Sequence, residues 1–240
     1  MGVKMNTIVE FEEKNDTITT LTPIENSLSS NNRLKKLSEQ TKRSIDIVGG
    51  VVGVLLLVPI TVGIIIAKIV LKDKGSLFYI QERIGKNGKI FKMYKFRSMI
   101  EKADEVLDTY LSENEEARIE YEKNRKLTND PRITPIGKFI RKTSLDEFPQ
   151  FINVLKGDMS LVGPRPYLPR EKESIGDSYT SIIKQKPGIT GYWQVSGRSN
   201  TSFKKRVELE SYYSNHSSLA LDLKIFLKTF KLMIFSEGAK

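Results

Sequence analysis

The chain carries no charged residue from Ile47 to Ala67, and this run limits the possible folds more than any other feature of the sequence. A helix of roughly 20 apolar residues can reach across the hydrocarbon core of a bilayer. Pro59 lies inside the run, where a proline removes a backbone donor and tends to kink or break a helix. The run therefore predicts a membrane segment with a weak point near its centre.

Basic residues flank the uncharged run on both sides: Lys35, Lys36, Lys42 and Arg43 precede it, and Lys68, Lys72 and Lys74 follow it. Because basic residues favour the cytoplasmic side, a simple span would place one of these clusters on the opposite face. A re-entrant hairpin that turns at Pro59 and returns to the cytoplasmic face fits both the flanks and the proline. From the pattern alone, an ordinary single span stays open, and a buried core helix is a third alternative.

Composition limits the chemistry that the rest of the chain can perform. The 240 residues carry a formal net charge of +10, which favours an anionic partner such as nucleic acid, anionic lipid or a phosphorylated small molecule. The absence of cysteine excludes disulfides and thiolate metal sites, and a single histidine disfavours zinc chemistry. Catalysis is therefore expected to use carboxylates, basic side chains and a hard cation.

The pattern divides the chain into three segments. Residues 1–38 are predicted to be a mobile polar extension, residues 39–73 a membrane helix that is either re-entrant or spanning, and residues 74–240 a globular domain. The fold class that follows is α+β and mainly helical.

Within the third segment, alternating apolar residues predict short strands at Phe78–Gln81 and Ile90–Phe96 around a glycine-containing turn. Glu101–Lys126 is a highly charged stretch that favours a solvated surface helix. Helices are predicted at Ile136–Arg141, Glu147–Leu155 and Phe203–Tyr213. Leu219–Phe235 combines apolar residues with three lysines, which is typical either of a helix in the membrane interface or of a core helix with its lysines in water.

Two adjacent carboxylates, Asp146 and Glu147, begin a predicted helix. Pro149 belongs in the first turn of that helix because it has no backbone donor, although a capping box from Ser144 to Glu147 is a competing assignment. A carboxylate here could attack phosphorus and form an acyl phosphate, and its neighbour could bind Mg²⁺. For the pair alone, plain helix capping is the better explanation of both residues, and the surrounding motifs are needed to favour chemistry.

Several cations could bind phosphate near this pair. Arg165 lies between two prolines that restrict its backbone, and an arginine suits bidentate phosphate recognition. Further candidates are Lys95, Arg97, Arg141, Lys142 and Arg198. Any one of these cations alone is better explained as a solvated or salt-bridged surface residue. Tyr192 and Trp193 are predicted to be core or interface aromatics.

Taken together, the motifs from about residue 40 onward closely resemble the bacterial sugar transferase family, the monotopic phosphoglycosyl transferases. The resemblance rests on these residues, in order: Lys42-Arg43 with Asp46, Pro59, Gln81-Glu82-Arg83, Tyr94-Lys95-Phe96-Arg97-Ser98-Met99, Ser144-Leu145-Asp146-Glu147, Asn153-Val154-Leu155-Lys156-Gly157-Asp158-Met159-Ser160, Gly163-Pro164-Arg165-Pro166, Pro187-Gly188-Ile189-Thr190-Gly191 and Gln194-Val195-Ser196-Gly197-Arg198. Val58 departs from the pattern, since some family members carry serine before this proline.

The resemblance implies a role for each matching residue. Asp146 is expected to be the nucleophile, and Glu147 is expected to help bind Mg²⁺. Residues expected to contact substrate phosphates are Lys95, Arg141, Arg165 and Arg198, with Gln194 a further candidate. Pro59 is expected to break a re-entrant helix hairpin over residues 39–73. Residues 74–240 are expected to form a cytoplasmic catalytic domain with interfacial amphipathic helices. The chain also looks like a minimal catalytic form, since larger relatives carry several N-terminal membrane spans.

The implied reaction transfers a sugar phosphate from a UDP-sugar to undecaprenyl phosphate and releases UMP. It would take place at the cytoplasmic face of the bacterial cell membrane and start the synthesis of an exopolysaccharide, a capsule or another glycoconjugate. The implied partners are the two substrates and the membrane, with room for a homo-oligomer and for downstream glycosyltransferases. Alternatives are a glycosyltransferase that releases UDP and a non-catalytic scaffold. Nucleic acid is not expected as a partner, because no binding motif accompanies the charge.

Overall fold

The computed structural model describes residues 22–124, 126–197 and 201–234, with side chains from residue 33 to residue 232 of those ranges. The chain forms two compact units, Met1–Gln40 and Thr41–Lys240. The described part of the first unit is helical. The second unit contains small sheets among short helices, so the predicted mainly helical α+β class is confirmed.

Helix α1 runs from Thr22 to Val70 and includes Pro59. It begins well before residue 39, so residues 22–38, which we predicted as part of a mobile extension, belong to the helix; residues 1–21 lie outside the described ranges. The helix also continues through Pro59, and the predicted re-entrant break is not confirmed. Near the proline, the Thr61 hydroxyl donates to the Leu57 carbonyl oxygen at 2.7 Å, which adds a hydrogen bond where the proline ring removes one.

From Thr41 onward α1 belongs to the second unit, and one of its faces packs against the rest of that unit. Its buried positions recur every three or four residues, as expected for one face of a helix, and include Asp46, Gly50, Gly53, Leu57 and Ile64. The opposite face exposes a long row of apolar side chains: Ile47, Val48, Val51, Val52, Leu55, Leu56, Val58, Val62, Ile65, Ile66 and Ile69. Only 22% of its most apolar window is buried, which argues against the third alternative, a core helix.

Glycines allow α1 to approach the helix and strand that follow the acid pair. A Cβ atom added at Gly53 would lie 2.2 Å from the Phe151 ring, and one at Gly50 would lie 2.7 Å from Leu155. Gly63, by contrast, has nothing within 4 Å of such an atom. Gly50 and Gly53 therefore lie in close contact with neighbouring side chains, whereas Gly63 faces open space.

We expect Gly53→Ala to lower the thermal unfolding temperature, because the Phe151 ring has to move and overpacking of this kind costs about 1–3 kcal/mol. Gly63→Ala is the matched control, since it gains the same helix propensity, about 0.5–1 kcal/mol, without a contact. The unfolding temperatures of both variants in nanodiscs check this prediction. Equal temperatures would contradict the close packing at Gly53.

The second unit contains two small sheets. Strands β1 (Phe78–Ile84) and β2 (Ile90–Phe96) pair antiparallel, with Phe78 opposite Phe96 and Arg83 opposite Phe91. Both predicted strands are confirmed, although β1 is three residues longer than predicted. Strands β3 (Ser160–Val162) and β4 (Gly188–Thr190) pair parallel. This second pair brings the segment around Arg165 next to the segment around Gly188.

The remaining helices surround these sheets. They are α2 (Ala103–Glu113), α3 (Glu115–Asn124), α4 (Pro135–Lys142), α5 (Gln150–Lys156), α6 (Lys172–Ile175), α7 (Tyr179–Ile182), α8 (Tyr192–Val195), α9 (Phe203–His216) and α10 (Leu219–Ile234). The predicted helices at α4, α5, α9 and α10 are confirmed. The charged stretch after residue 101 is a pair of helices that bury Leu107 and Ala117 together with Leu127, so it is not a single solvated helix.

A shared apolar cluster joins α1 to the elements around the acid pair. Its buried members are Leu57, Ile64, Phe96, Ile136 and Ile140. Leu145 and Phe148, on either side of the acid pair, pack against the same cluster. Helix α4 and the turn that carries Asp146 and Glu147 therefore rest directly on the apolar segment of α1.

Candidate active site

Asp146 and Glu147 lie in a single 3₁₀ turn, Leu145–Glu147, which directly precedes α5. Ser144 enters this turn in the left-handed region, with φ 57°, and its side chain makes no capping hydrogen bond. The capping box that competed for this segment is therefore absent. Pro149 precedes Gln150, the first residue of α5, which agrees with its predicted place at the start of the helix.

Lys95 on β2 holds the second carboxylate. Its Nζ lies 2.8 Å from Glu147 Oε1, and both side chains are partly exposed. A hydrogen bond from the buried Gln150 also reaches Glu147. Burial alone would raise the pKa of Glu147, but the charge and hydrogen bond of Lys95, with the more distant charge of Arg165, lower it. Glu147 is therefore ionised at neutral pH.

Asp146 behaves differently from its neighbour. Burial is the main reason that its pKa rises to about 6, and the adjacent negative charge of Glu147 raises it further, whereas Lys95 and Arg141 oppose the rise. The two carboxyl groups thus have pKa values displaced in opposite directions. Such a displacement often marks a functional site, because burial and partners give each group a separate chemical role.

Asn153 fixes the position of Lys95 relative to the acid pair. This fully buried side chain on α5 accepts a hydrogen bond from the Tyr94 backbone N–H at 3.0 Å and donates to the Lys92 carbonyl oxygen at 2.7 Å. It thus pairs with strand β2 on both sides of Met93, two residues before Lys95. Helix α5 and strand β2 are thereby held in one register, and the lysine meets Glu147.

The loop that carries Arg165 is held from three sides. Arg83 Nη1 donates to the Pro166 carbonyl oxygen at 2.9 Å, and Gly188 N–H donates to the Pro164 carbonyl oxygen at 2.8 Å. The Arg165 N–H donates to Glu210 Oε1 on α9 at 3.1 Å. These bonds, with the two flanking prolines, hold the guanidinium on the side from which its charge acts on Glu147.

The structure brings together most of the predicted site residues. Lys95 contacts Glu147, while Arg141, exposed in the last turn of α4, and Arg165 act electrostatically on the acid pair. Gln194 instead donates to the Ile189 carbonyl oxygen at 3.1 Å, which is a bond within its own segment. Arg198 lies outside the described residues.

Sequence reasoning assigned no role to three residues that shape this site. Gln150 contacts Glu147, Glu210 holds the Arg165 backbone, and Arg206 lies buried on α9. The sequence did contain a signal for Arg206 and Glu210. They lie four residues apart in a predicted helix and therefore share one of its faces. Nothing in the sequence indicated that this face is buried.

Asp146 and Glu147 could hold a divalent cation. Mg²⁺ usually binds proteins through one or two carboxylates and completes its shell with phosphate oxygens and water. The two carboxylates provide hard oxygen ligands of that kind, and the ionised Glu147 uses only one oxygen for Lys95 in a described contact. Across the described ranges, no group of three or more acidic, histidine or cysteine side chains could enclose a metal without other ligands.

Comparisons with known proteins agree with this arrangement. The family model for the bacterial sugar transferases matches residues 37–236. The chain is 45% identical over 209 residues to an undecaprenyl-phosphate galactose phosphotransferase of Salmonella typhimurium, covering 87% of this chain and 44% of that protein. It is 41% identical over 206 residues to the exopolysaccharide production protein ExoY of Rhizobium meliloti, covering 86% of this chain and 91% of that protein.

A further relative is the UDP-glucose:undecaprenyl-phosphate glucose-1-phosphate transferase of Escherichia coli, 38% identical over 82% of this chain and 41% of its own length. The chain thus spans less than half the length of two of these three relatives. The family match covers the acid pair, the Arg165 loop and the apolar part of α1. The resemblance predicted from the motifs is confirmed, and the chain belongs to the bacterial sugar transferase family.

Proposed function

We propose that the chain is a phosphoglycosyl transferase that moves a sugar 1-phosphate from a UDP-sugar to undecaprenyl phosphate. The observation that carries this proposal is the partly buried pair Asp146–Glu147, whose carboxyls differ in pKa and are surrounded by Lys95, Arg141 and Arg165. Two relatives of the chain are named as transferases that act on undecaprenyl phosphate, one with galactose and one with glucose 1-phosphate. Such a reaction starts the assembly of an exopolysaccharide, a capsule or another glycoconjugate.

In the first step, a carboxylate oxygen of Asp146 attacks the β-phosphorus of the donor. A bond forms between that oxygen and phosphorus, the bond to the bridging oxygen breaks, and UMP leaves with the bridging oxygen. Asp146 is the better nucleophile of the pair because Glu147 is already bound to Lys95. The nearby cations stabilise the charge that develops on the phosphate oxygens.

In the second step, a phosphate oxygen of undecaprenyl phosphate attacks the same phosphorus. The aspartyl phosphate bond breaks, the Asp146 carboxylate is restored, and a diphosphate joins the sugar to the lipid. Glu147, with Asp146, would hold Mg²⁺, which supplies charge neutralisation at the phosphate oxygens when it is bound. Lys95 keeps Glu147 ionised and in place for that purpose.

The attachment of α1 supports a membrane segment that does not cross the bilayer. Before the uncharged run, Arg43 donates to the Val154 and Leu155 carbonyl oxygens at 2.7 and 2.8 Å. After it, Asp73 pairs with Lys68 at 2.9 Å and with Arg97 at 2.8 Å. Both ends thus bond to the same folded unit, whereas a transmembrane span would place them on opposite sides of the bilayer. We infer that the run stays on one side and enters only the cytoplasmic leaflet; a return at Pro59 stays a prediction, since α1 is continuous there.

The C-terminal helix supports attachment to the same surface. Helix α10 exposes Leu223, Phe226, Leu227 and Phe230 along one stripe, and Lys224, Lys228 and Lys231 along the next. Its Asp222 accepts hydrogen bonds from Lys42 of α1 and from Tyr213 of α9. A helix with an apolar stripe beside a basic one is typical of the membrane interface. The predicted interfacial helix therefore remains part of this proposal.

Nucleotide release tests the reaction. The protein in nanodiscs is given Mg²⁺, undecaprenyl phosphate and a panel of UDP-sugars, and the nucleotide product is separated by chromatography. UMP is the expected product, and the sugar that yields it identifies the donor. UDP would instead assign the chain to glycosyltransferases that attack the sugar carbon. No nucleotide with any donor, from a folded protein, would favour a scaffold.

The acid limb of the pH profile provides a second prediction. Because the pKa of Asp146 lies near 6, its nucleophilic, ionised form is lost as the pH falls through that value. We expect kcat/KM for the donor to be about tenfold lower at pH 5 than on its plateau. The profile is measured as initial UMP release between pH 4.5 and pH 8. An acid limb near pH 4 would contradict a raised pKa at the nucleophile.

A further inference from the structure

Helices α8 and α9 and the Arg165 loop bring together a group of polar side chains, of which the reaction described above uses only Arg165. We call Arg165, Tyr167, Trp193 and Arg206 the α9 cluster. Arg206 is only 4% exposed and Tyr167 only 2% exposed. The Arg206 guanidinium carbon lies 4.4 Å from the centre of the Trp193 ring, which covers it in a cation–π contact.

All four members of the α9 cluster carry a buried donor without a partner. Among the residues that the structure describes, no hydrogen bond reaches Arg165 Nε, the Tyr167 hydroxyl, Trp193 Nε1 or Arg206 Nε. Buried polar groups are normally hydrogen-bonded, and each one left without a partner destabilises the fold. Four such donors close to one another indicate a ligand that accepts hydrogen bonds.

No close ion pair compensates the charge of the α9 cluster. Within the described ranges, no carboxylate oxygen lies within 4.0 Å of the Arg165 or Arg206 guanidinium. Two buried carboxyls, Glu171 and Glu210, act on Arg206 from a greater distance. Burial raises the pKa of Glu210 to about 8, and its Oε2 is a buried acceptor without a partner among the described residues. The ligand is therefore expected to be an anion.

The α9 cluster adjoins the acid pair. Arg165 belongs to the cluster and also acts electrostatically on Glu147. The pKa of Arg206 is lowered mainly by burial and further by the positive charge of Arg165. Of the four members, Arg165 and Tyr167 line a small surface cleft. An anion bound by the cluster would thus share Arg165 with the acid pair.

The position of the α9 cluster favours the soluble substrate over the lipid. Helix α4, which carries Arg141, packs on the apolar segment of α1 through Ile136 and Ile140. Helix α9, which carries Arg206, packs against α7 and α8. Arg141 therefore acts on the acid pair from the side that rests on α1. Arg165 acts on it from the loop that α9 holds. A donor with two linked phosphates can place one phosphate at Asp146 and the other at the α9 cluster.

We propose that Arg206, Trp193 and Tyr167 bind the diphosphate of the nucleotide sugar together with Arg165, and so determine affinity for the donor. This proposal rests on the proposed function for the identity of the donor. The anion site itself stands on the buried donors and can be tested without catalysis. The three new residues are substrate-binding residues and take no part in bond formation.

Two conservative variants separate ligand binding from structure. Tyr167→Phe and Trp193→Phe each keep an aromatic ring and remove the donor that lacks a partner. If these donors have no ligand, removing them should leave the unfolding temperature unchanged or raise it and should not affect kinetics. If they bind the donor, each variant should raise the KM for the UDP-sugar about tenfold, with the KM for undecaprenyl phosphate unchanged. An unchanged donor KM in both variants, or a change in the acceptor KM alone, would overturn the proposal.

Binding of inorganic pyrophosphate distinguishes this proposal from the proposed function. Calorimetry on the full chain in nanodiscs should detect pyrophosphate binding that weakens about tenfold in Trp193→Phe and in Arg206→Gln. Arg118→Gln is the control, since Arg118 is exposed and paired with Glu115 on α3. If wild-type protein binds pyrophosphate in this way but releases no UMP, the anion site stands and the proposed reaction fails. Absent binding, or binding equal in all variants, would refute the anion site.

Discussion

Asp146→Asn is expected to reduce UMP release by about 10⁴-fold or more, because losing a nucleophile typically has an effect of this size. The amide has nearly the same shape as the carboxylate but cannot form the aspartyl phosphate. It also removes the negative charge beside Glu147, so the substitution should not impair folding. Release of UMP from a UDP-sugar, measured with and without undecaprenyl phosphate, checks the prediction.

Asp108→Asn is the matched control for this variant, since Asp108 is an exposed residue of α2 and the substitution also removes one negative charge. It should leave UMP release unchanged. Wild-type protein incubated with donor alone should gain the mass of a sugar phosphate on the peptide that contains Asp146. UMP release that persists in Asp146→Asn, or the same mass gain on another peptide, would assign the nucleophile elsewhere.

Lys95→Met is expected to have the second largest effect, a loss of about 10²–10³-fold in kcat. The substitution removes the 2.8 Å contact with Glu147 and one cation near the transferred phosphate. It should also raise the pKa of Asp146, because the positive charge of Lys95 stabilises the carboxylate. The acid limb of the pH profile should therefore move to higher pH, which a purely structural role for Lys95 would not produce.

Lys92→Met provides the control on the same strand. Lys92 is exposed on β2, and its only described bond to α5 is through its backbone carbonyl oxygen, which the substitution retains. Its kcat and pH profile should match those of the wild-type protein. An acid limb that stays in place in Lys95→Met would show that Lys95 does not act on the nucleophile.

Much of the local structure could be predicted from sequence because short-range patterns determine it. Alternation over Ile90–Phe96 predicted a strand, and the proline after the acid pair predicted a helix start at the observed place. The acid pair and the cations Lys95, Arg141 and Arg165 were all identified from motifs. The family followed from several motifs in order, which are far more specific than any one of them.

Other features could not be predicted because they depend on contacts between distant residues. The charged stretch after residue 101 forms two helices since Leu107 and Ala117 find a common apolar partner in Leu127. The start of α1 at Thr22 was missed because the polar residues before the uncharged run carry no apolar period. The bond from the Gln194 amide to the Ile189 carbonyl oxygen was not predicted, and the expected place of Gln194 near the substrate stays a prediction.

The sequence by itself determined which residues are available for chemistry and which segment is apolar enough to enter a membrane, because residue type decides charge, nucleophilicity and hydropathy. Only the tertiary structure decided how these residues act on one another. Asn153 brings strand β2 and helix α5 into register, so Lys95 meets Glu147 and the two carboxyls acquire different pKa values. Burial likewise gives Arg206 a different environment from that of an exposed arginine such as Arg118. Burial and electrostatic coupling depend on how far apart groups are in space, and spacing along the chain does not specify that distance.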